Sequence, residues 1–141
     1  MIELPEVAKP VAAYTPAVVT GHYVYTSGQL PFVDGALPKT GKVGAEVTQE
    51  EAYDLARTAA LNALAAINNE VDLEKITRVV KIVGFVNSAP GFNAQPAVVN
   101  GASELMVALF GDAGKHARSA VGVPVLPLGA AVEVDAIFEV A

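Results

Sequence analysis

The chain has 141 residues and a net charge of −6, from nine Lys or Arg against fifteen Asp or Glu; the length suits one domain, 1–141, with a core large enough to need no staple, and the acidic balance argues against a nucleic-acid groove built from clustered cations. Cysteine is absent and histidine occurs twice, at His22 and His116, which rules out disulfides and thiolate chemistry and leaves too few ligands for a histidine metal site. No run approaches the ~20 apolar residues of a membrane span and the N-terminus lacks the basic start and apolar core of a secretion signal, so a soluble, cytoplasmic protein without membrane or nucleic-acid partners is expected.

Residues 1–10 hold two prolines and no periodicity, and predict an extended arm. Val11–Val19 and His22–Ser27 are rich in Val, Tyr and Thr around a Thr20-Gly21 turn, and predict a β-hairpin. Gly28-Gln29-Leu30-Pro31 then breaks the strand. A Ser27-Gly28 pair at a strand end frees backbone N–H groups and lets a ligand approach closely; a plain turn would look the same. Residues 32–44, with three glycines, predict a mobile loop.

Thr48-Gln49-Glu50-Glu51 is a capping box. The helix it opens should run to about Asn69, with Ala52, Ala56, Ala59, Ala63 and Ile67 as its buried stripe. Thr77–Asn87 is apolar on both faces apart from Lys81, which predicts a central strand. A second helix is expected from Gln95 to Phe110, with Pro96 in its first turn and Val98, Ala102, Leu105 and Leu109 facing inward; Gly111 and Gly114 end it. Two strands follow, Ala117–Val123 and Ala131–Val140, separated by Pro124, Pro127 and Gly129. In the second, Glu133, Asp135 and Glu139 alternate with apolar residues, as on a solvated face. The order β-β-α-β-α-β-β, with few helices, predicts an α+β sandwich with both helices on one face of the sheet.

Arg118 and Glu133 stand out because the residues between them carry no charge. An arginine beside an apolar run either snorkels to water or meets an anion with its planar fork. On spacing alone, a surface cation and a solvated acid explain both residues. Dinucleotide and Walker loops, the zinc-protease helix and the serine-hydrolase elbow are all missing, and no serine has a histidine partner in the local sequence. Charged residues make up 17% of the chain, against about 25% in ordinary globular proteins. So little charge suggests that part of the surface is hidden between subunits.

Taken together, Tyr14, Tyr25-Thr26-Ser27-Gly28-Gln29-Leu30-Pro31, Val80–Val86, Asn100, Ala117-Arg118-Ser119, Leu126-Pro127 and Val132-Glu133-Val134 resemble the reactive intermediate deaminase (YjgF-like) family, in order and over nearly the whole chain. The resemblance implies a chorismate-mutase-like fold, a mixed sheet with two helices on one face, assembled as a homotrimer with clefts between subunits. It implies hydrolysis of 2-imino and 2-enamino acids, such as 2-aminoacrylate, to 2-keto acids and ammonia, without a cofactor. By motif, Arg118 would clamp the substrate carboxylate, Glu133 would orient or activate water, and Tyr14 would line the cleft. Ser27 and the Gly28 backbone would lie beside the carboxylate, Asn100 would be a polar wall residue, and the Ala120 backbone would face the imine. Many members carry cysteine where this chain has Ala120, and the segment from Asn100 to Arg118 is about a residue longer, so a less-studied branch is implied. A non-catalytic trimer that binds a small carboxylate, or a chaperone-like protein, is the competing reading; a ribonuclease is the third.

Overall fold

A computed structural model describes residues 2–8 and 13–141. Five strands form one mixed sheet, and two helices cover one of its faces. The hairpin pairs β1 (Ala17–Thr20) with β2 (Tyr23–Thr26). The first strand starts later than the sequence suggests. Pro16 has no N–H to give to a ladder, residues 13–16 are not strand, and the expected start at Val11 falls outside the described residues. In the N-terminal arm, Ile2 and Leu4 pack against the core.

The sheet order is β1-β2-β5-β3-β4. The long strand β3 (Ile76–Asn87) lies between β5 (Val132–Val140), which is antiparallel to it, and β4 (Ala117–Val123), which is parallel. Paired on both sides, it is central, as its apolar run implies. A parallel pair needs a crossover, and here the helix α2 (Gln95–Phe110) supplies it. Along β5 the side chains of Val132, Val134, Ala136, Phe138 and Val140 are buried under the helical layer, whereas Glu133, Asp135, Ile137 and Glu139 face the other way and are half-buried.

The first helix, α1 (Gln49–Asn68), starts at the capping box: the Glu51 N–H donates to Thr48 Oγ1 at 3.1 Å, and the Thr48 N–H to Glu51 Oε1 at 2.9 Å. Its alanine stripe is fully buried, with Ala52, Ala56, Ala59, Ala63 and Ile67 all at 0% exposure. Small side chains let the two helices close on each other. At Gly101 of α2, an added methyl carbon would sit 2.0 Å from the Tyr53 carbonyl oxygen of α1. Because the obstacle is backbone, it cannot swing aside. Gly101→Ala should therefore force the helices apart and cost about 1–3 kcal/mol, as overpacking does; chemical denaturation of the variant measures it.

Two expectations change. Leu109 is not part of the α2 stripe but is exposed, because the stripe ends at Met106. The segment 32–44 is not a free loop. Its Gly41 N–H donates to the Gly129 carbonyl at 2.8 Å and its Val43 N–H to the Asn87 carbonyl at 2.7 Å, while the Ala89 N–H donates to the Val43 carbonyl at 3.0 Å. Val43 and Val47 are fully buried. The segment is thus stitched to the end of β3 and to the β4–β5 connection. No helix among the described residues is long and apolar enough to cross a membrane.

Candidate functional site

Arg118 lies on β4, opposite Ile82 of β3, which in turn lies opposite Ala136 of β5. Residues in register share a face, so Arg118 is on the helix-covered side, at the sheet edge. Its Nη1 donates to Asn100 Oδ1 at 2.8 Å and to Ser103 Oγ at 3.2 Å. These two acceptors are three residues apart on α2 and so share a helix face. Ala120, two residues further along β4, lies on the same side as Arg118 and opposite Gly84.

Ser103 was not picked out by the sequence, and the absence of a histidine-partnered serine needs correcting. Ser103 Oγ is 2.9 Å from His116 Nε2, and His116 Nδ1 is 2.6 Å from the Gly114 carbonyl oxygen. The usable signal is spacing: Ser103 follows Asn100 by three residues, and His116 precedes Arg118 by two. A short 3-10 turn (Gly111–Gly114) folds the chain back so that the two meet.

Glu133 gathers a second group of residues. From Tyr25 opposite Ile137 to Gln29 opposite Val134, β2 and its extension advance four residues while β5 advances three. The extra residue is a bulge, and Ser27-Gly28 occupies it. The Thr26 hydroxyl fills the gap in the ladder by accepting from the Ala136 N–H at 3.0 Å. Ser27 turns toward the segment just before β1, donating its N–H to the Pro16 carbonyl at 2.8 Å and its hydroxyl to the Thr15 carbonyl at 2.5 Å. Tyr14, the next residue back, is exposed. The Glu133 carboxylate lies against Gly28: an added methyl carbon there would sit 2.0 Å from Oε2.

The face that carries Glu133 is not the freely solvated one its alternation suggests. Burial pushes the Glu133 carboxyl above the ordinary carboxylate range, and the neighbouring Asp135 charge pushes it further the same way. Burial raises Asp135 as well, partly offset by Lys81.

The predicted residues therefore fall into two groups. Arg118, Asn100 and Ala120 form one on the helix side of the edge strand. Glu133, Gly28, Ser27 and Tyr14 form the other, with the Glu133 carboxylate on the opposite face of the sheet. One chain does not bring Arg118 and Glu133 together. A hollow of about 700 Å³ lies elsewhere, between the N-terminal arm and the segment after β2, lined by Pro5, Val7, Phe32, Asp34 and Asn62 among others; it holds none of these groups. No cluster of three or more His, Cys, Asp or Glu that could hold a metal occurs among the described residues.

A mixed sheet with a bulged glycine turn over one strand and an arginine on the edge strand defines a YjgF-like fold. The family model described as "YjgF/chorismate mutase-like, putative endoribonuclease" matches residues 1–140, and the chain belongs to that family. It is 46% identical over 140 residues to "Protein TCP17" of Trypanosoma cruzi, covering 98% of this chain and 88% of that protein. It is 32% identical over 137 residues to a 2-iminobutanoate/2-iminopropanoate deaminase of Dermatophagoides farinae, covering 97% and 93%. Among solved structures, the protein Atu1372 of Agrobacterium tumefaciens superposes with a TM-score of 0.93 at 43% identity, covering 99% of this chain and 87% of that one.

Proposed function

We propose that this protein hydrolyses 2-imino and 2-enamino acids to 2-keto acids and ammonia, in clefts that neighbouring copies of a homotrimer complete. The observation that carries the reading is the pair of half-sites: on one face an arginine bonded through Nη1 to Asn100 and Ser103 with the rest of its fork open, and on the other a desolvated carboxylate packed against Gly28. A second copy is what would bring an Arg118 to a Glu133. Exposed Val18, Tyr23 and Tyr25 on the open face, and Val121, Val125 and Leu128 near the edge strand, supply apolar surface for such an interface. The 32%-identical deaminase supports the activity.

The chemistry suits these groups. The imine carbon is already electrophilic, so the protein need only hold the substrate and position water; no cofactor is called for. Arg118 takes the carboxylate. Glu133, made more basic by its surroundings, accepts one proton as water adds to C2 and passes it to the imine nitrogen; it then takes the proton of the new C2 hydroxyl and delivers it to the amino nitrogen as the C2 carbonyl forms, the C–N bond breaks and ammonia leaves. With a net charge of −6 and no clustered cations, RNA is a poorer fit than a small carboxylate.

Ammonia release from 2-aminoacrylate and 2-iminobutanoate generated in situ tests the activity, and sedimentation at micromolar concentration tests the assembly. Turnover by a trimer is expected. A well-folded trimer that binds a 2-keto acid but releases no ammonia would replace the enzyme with a carboxylate-binding protein, and a monomer would remove the cleft.

The Gly28 contact gives a sharper check. In Gly28→Ala the obstacle is the tip of a flexible side chain, so the fold should yield at little cost, within about 1 kcal/mol. The carboxylate, however, must leave its place. Turnover should fall about 10-fold or more while the melting temperature barely moves.

A further inference from the structure

With His116 as the imidazole, the hydrogen bonds around Arg118 have one self-consistent direction. A guanidinium can only donate, so Ser103 Oγ accepts from Arg118 Nη1. The single hydroxyl proton of Ser103 is then free to go to His116 Nε2, 2.9 Å away. The Gly114 carbonyl, 2.6 Å from Nδ1 and able only to accept, requires a proton there, so in the imidazole form Nε2 is bare and takes the Ser103 hydroxyl proton. From Nη1 of Arg118 to the Gly114 carbonyl, each donor of the relay has its acceptor.

The count on Arg118 has a consequence. Nη1 carries two protons, and Asn100 and Ser103 take both. The three protons left, one on Nε and two on Nη2, have no recorded partner among the described residues. Two of them, on Nε and on the near side of Nη2, form the side-on edge of the fork, the edge that matches two carboxylate oxygens. We propose that Ser103 and His116 are positioning residues: through Nη1 they and Asn100 fix the rotation of the Arg118 guanidinium so that the Nε–Nη2 edge is presented to the substrate carboxylate. This rests on the reading of Arg118 as the carboxylate anchor. It adds two residues that the sequence motifs do not contain, and it accounts for a serine and a histidine that neither the core nor the deamination chemistry uses.

Two measurements test it. The first needs no ligand: the imidazole nitrogen resonances of His116, from a long-range ¹H–¹⁵N spectrum, should show the Nδ1–H tautomer. The Nε2–H tautomer would overturn the relay. The second is calorimetric titration of the trimer with 2-oxobutanoate, the keto-acid product of 2-iminobutanoate. Ser103→Ala should weaken binding about 10-fold and His116→Ala about 5-fold, as for loss of a hydrogen bond that orients a charged group. Ser103→Thr, which keeps the hydroxyl, should bind within about threefold of wild type. Wild-type affinity in a folded Ser103→Ala protein overturns the positioning role alone. Wild-type protein that binds no 2-oxobutanoate overturns the Arg118 anchor, and this proposal with it. If Ser103→Ala does not fold, Ser103→Thr together with His116→Ala decides the matter, since a purely structural serine would leave affinity indifferent to His116.

Discussion

Arg118→Ala should abolish imine hydrolysis. A bidentate pair to a carboxylate consists of two charge-assisted hydrogen bonds, each worth about 1.5–3 kcal/mol, so losing both removes about 10²–10⁴-fold in kcat/KM. The fold should survive, because the side chain is only half-buried, at the edge of the sheet, and its loss leaves Asn100 and Ser103 accessible to water. Arg118→Lys keeps the charge but not the fork. An ammonium can sit near the carboxylate, or near Asn100 and Ser103, but it cannot hold three acceptors in one plane, so the lysine variant should also be severely impaired. Steady-state kinetics on 2-iminobutanoate, with circular dichroism to show that each variant is folded, checks both. Full activity in the alanine variant would remove the proposed mechanism.

Glu133→Gln should be nearly as damaging to turnover and harmless to the fold. A positioned general base contributes about 10²–10⁴-fold, and glutamine keeps the shape without the basicity. The effect on stability has the opposite sign. A carboxyl whose pKa is raised by folding binds its proton more tightly folded than unfolded. Its ionised form therefore works against folding at neutral pH, and that cost disappears as pH falls through the raised value. Glutamine carries no such cost, so the variant should melt no lower than wild type. Asp135→Asn then tests the cause. Asp135 is the second contributor, after burial, to the shift at Glu133. Without its charge, Glu133 ionises at lower pH, and the acid limb of the kcat profile should move down. An unmoved limb would mean that another group controls it.

Much of the fold was legible because single elements carried their own signals. The double-sided apolar run of β3, the capping box of α1 and the Pro96 and Gly111 bounds of α2 each depend on local chemistry, and the observed bounds fall within a residue of those expected. What escaped depended on contacts between distant parts of the chain. Val43 and Val47 have no periodicity, and their burial comes from docking on the ends of other elements. The α2 stripe ran one turn beyond its cover, so Leu109 was misplaced. Motif resemblance brought Arg118, Asn100 and Glu133 forward, but it could not tell that Glu133 lies on the far side of the sheet from Arg118. Nor could it pair Ser103 with His116, thirteen residues away.

Dividing one reaction between two faces of a sheet also has a genetic meaning. If every cleft takes its arginine from one copy and its glutamate from the next, two dead alleles can rescue each other. Co-expressing Arg118→Ala with Glu133→Gln at equal levels should yield mixed trimers in which about a quarter of the clefts inherit both intact side chains, by random assortment around a closed ring. Activity would then return to a mixture whose parents have none, and it would vanish again if the two proteins were purified apart and mixed too briefly to exchange subunits.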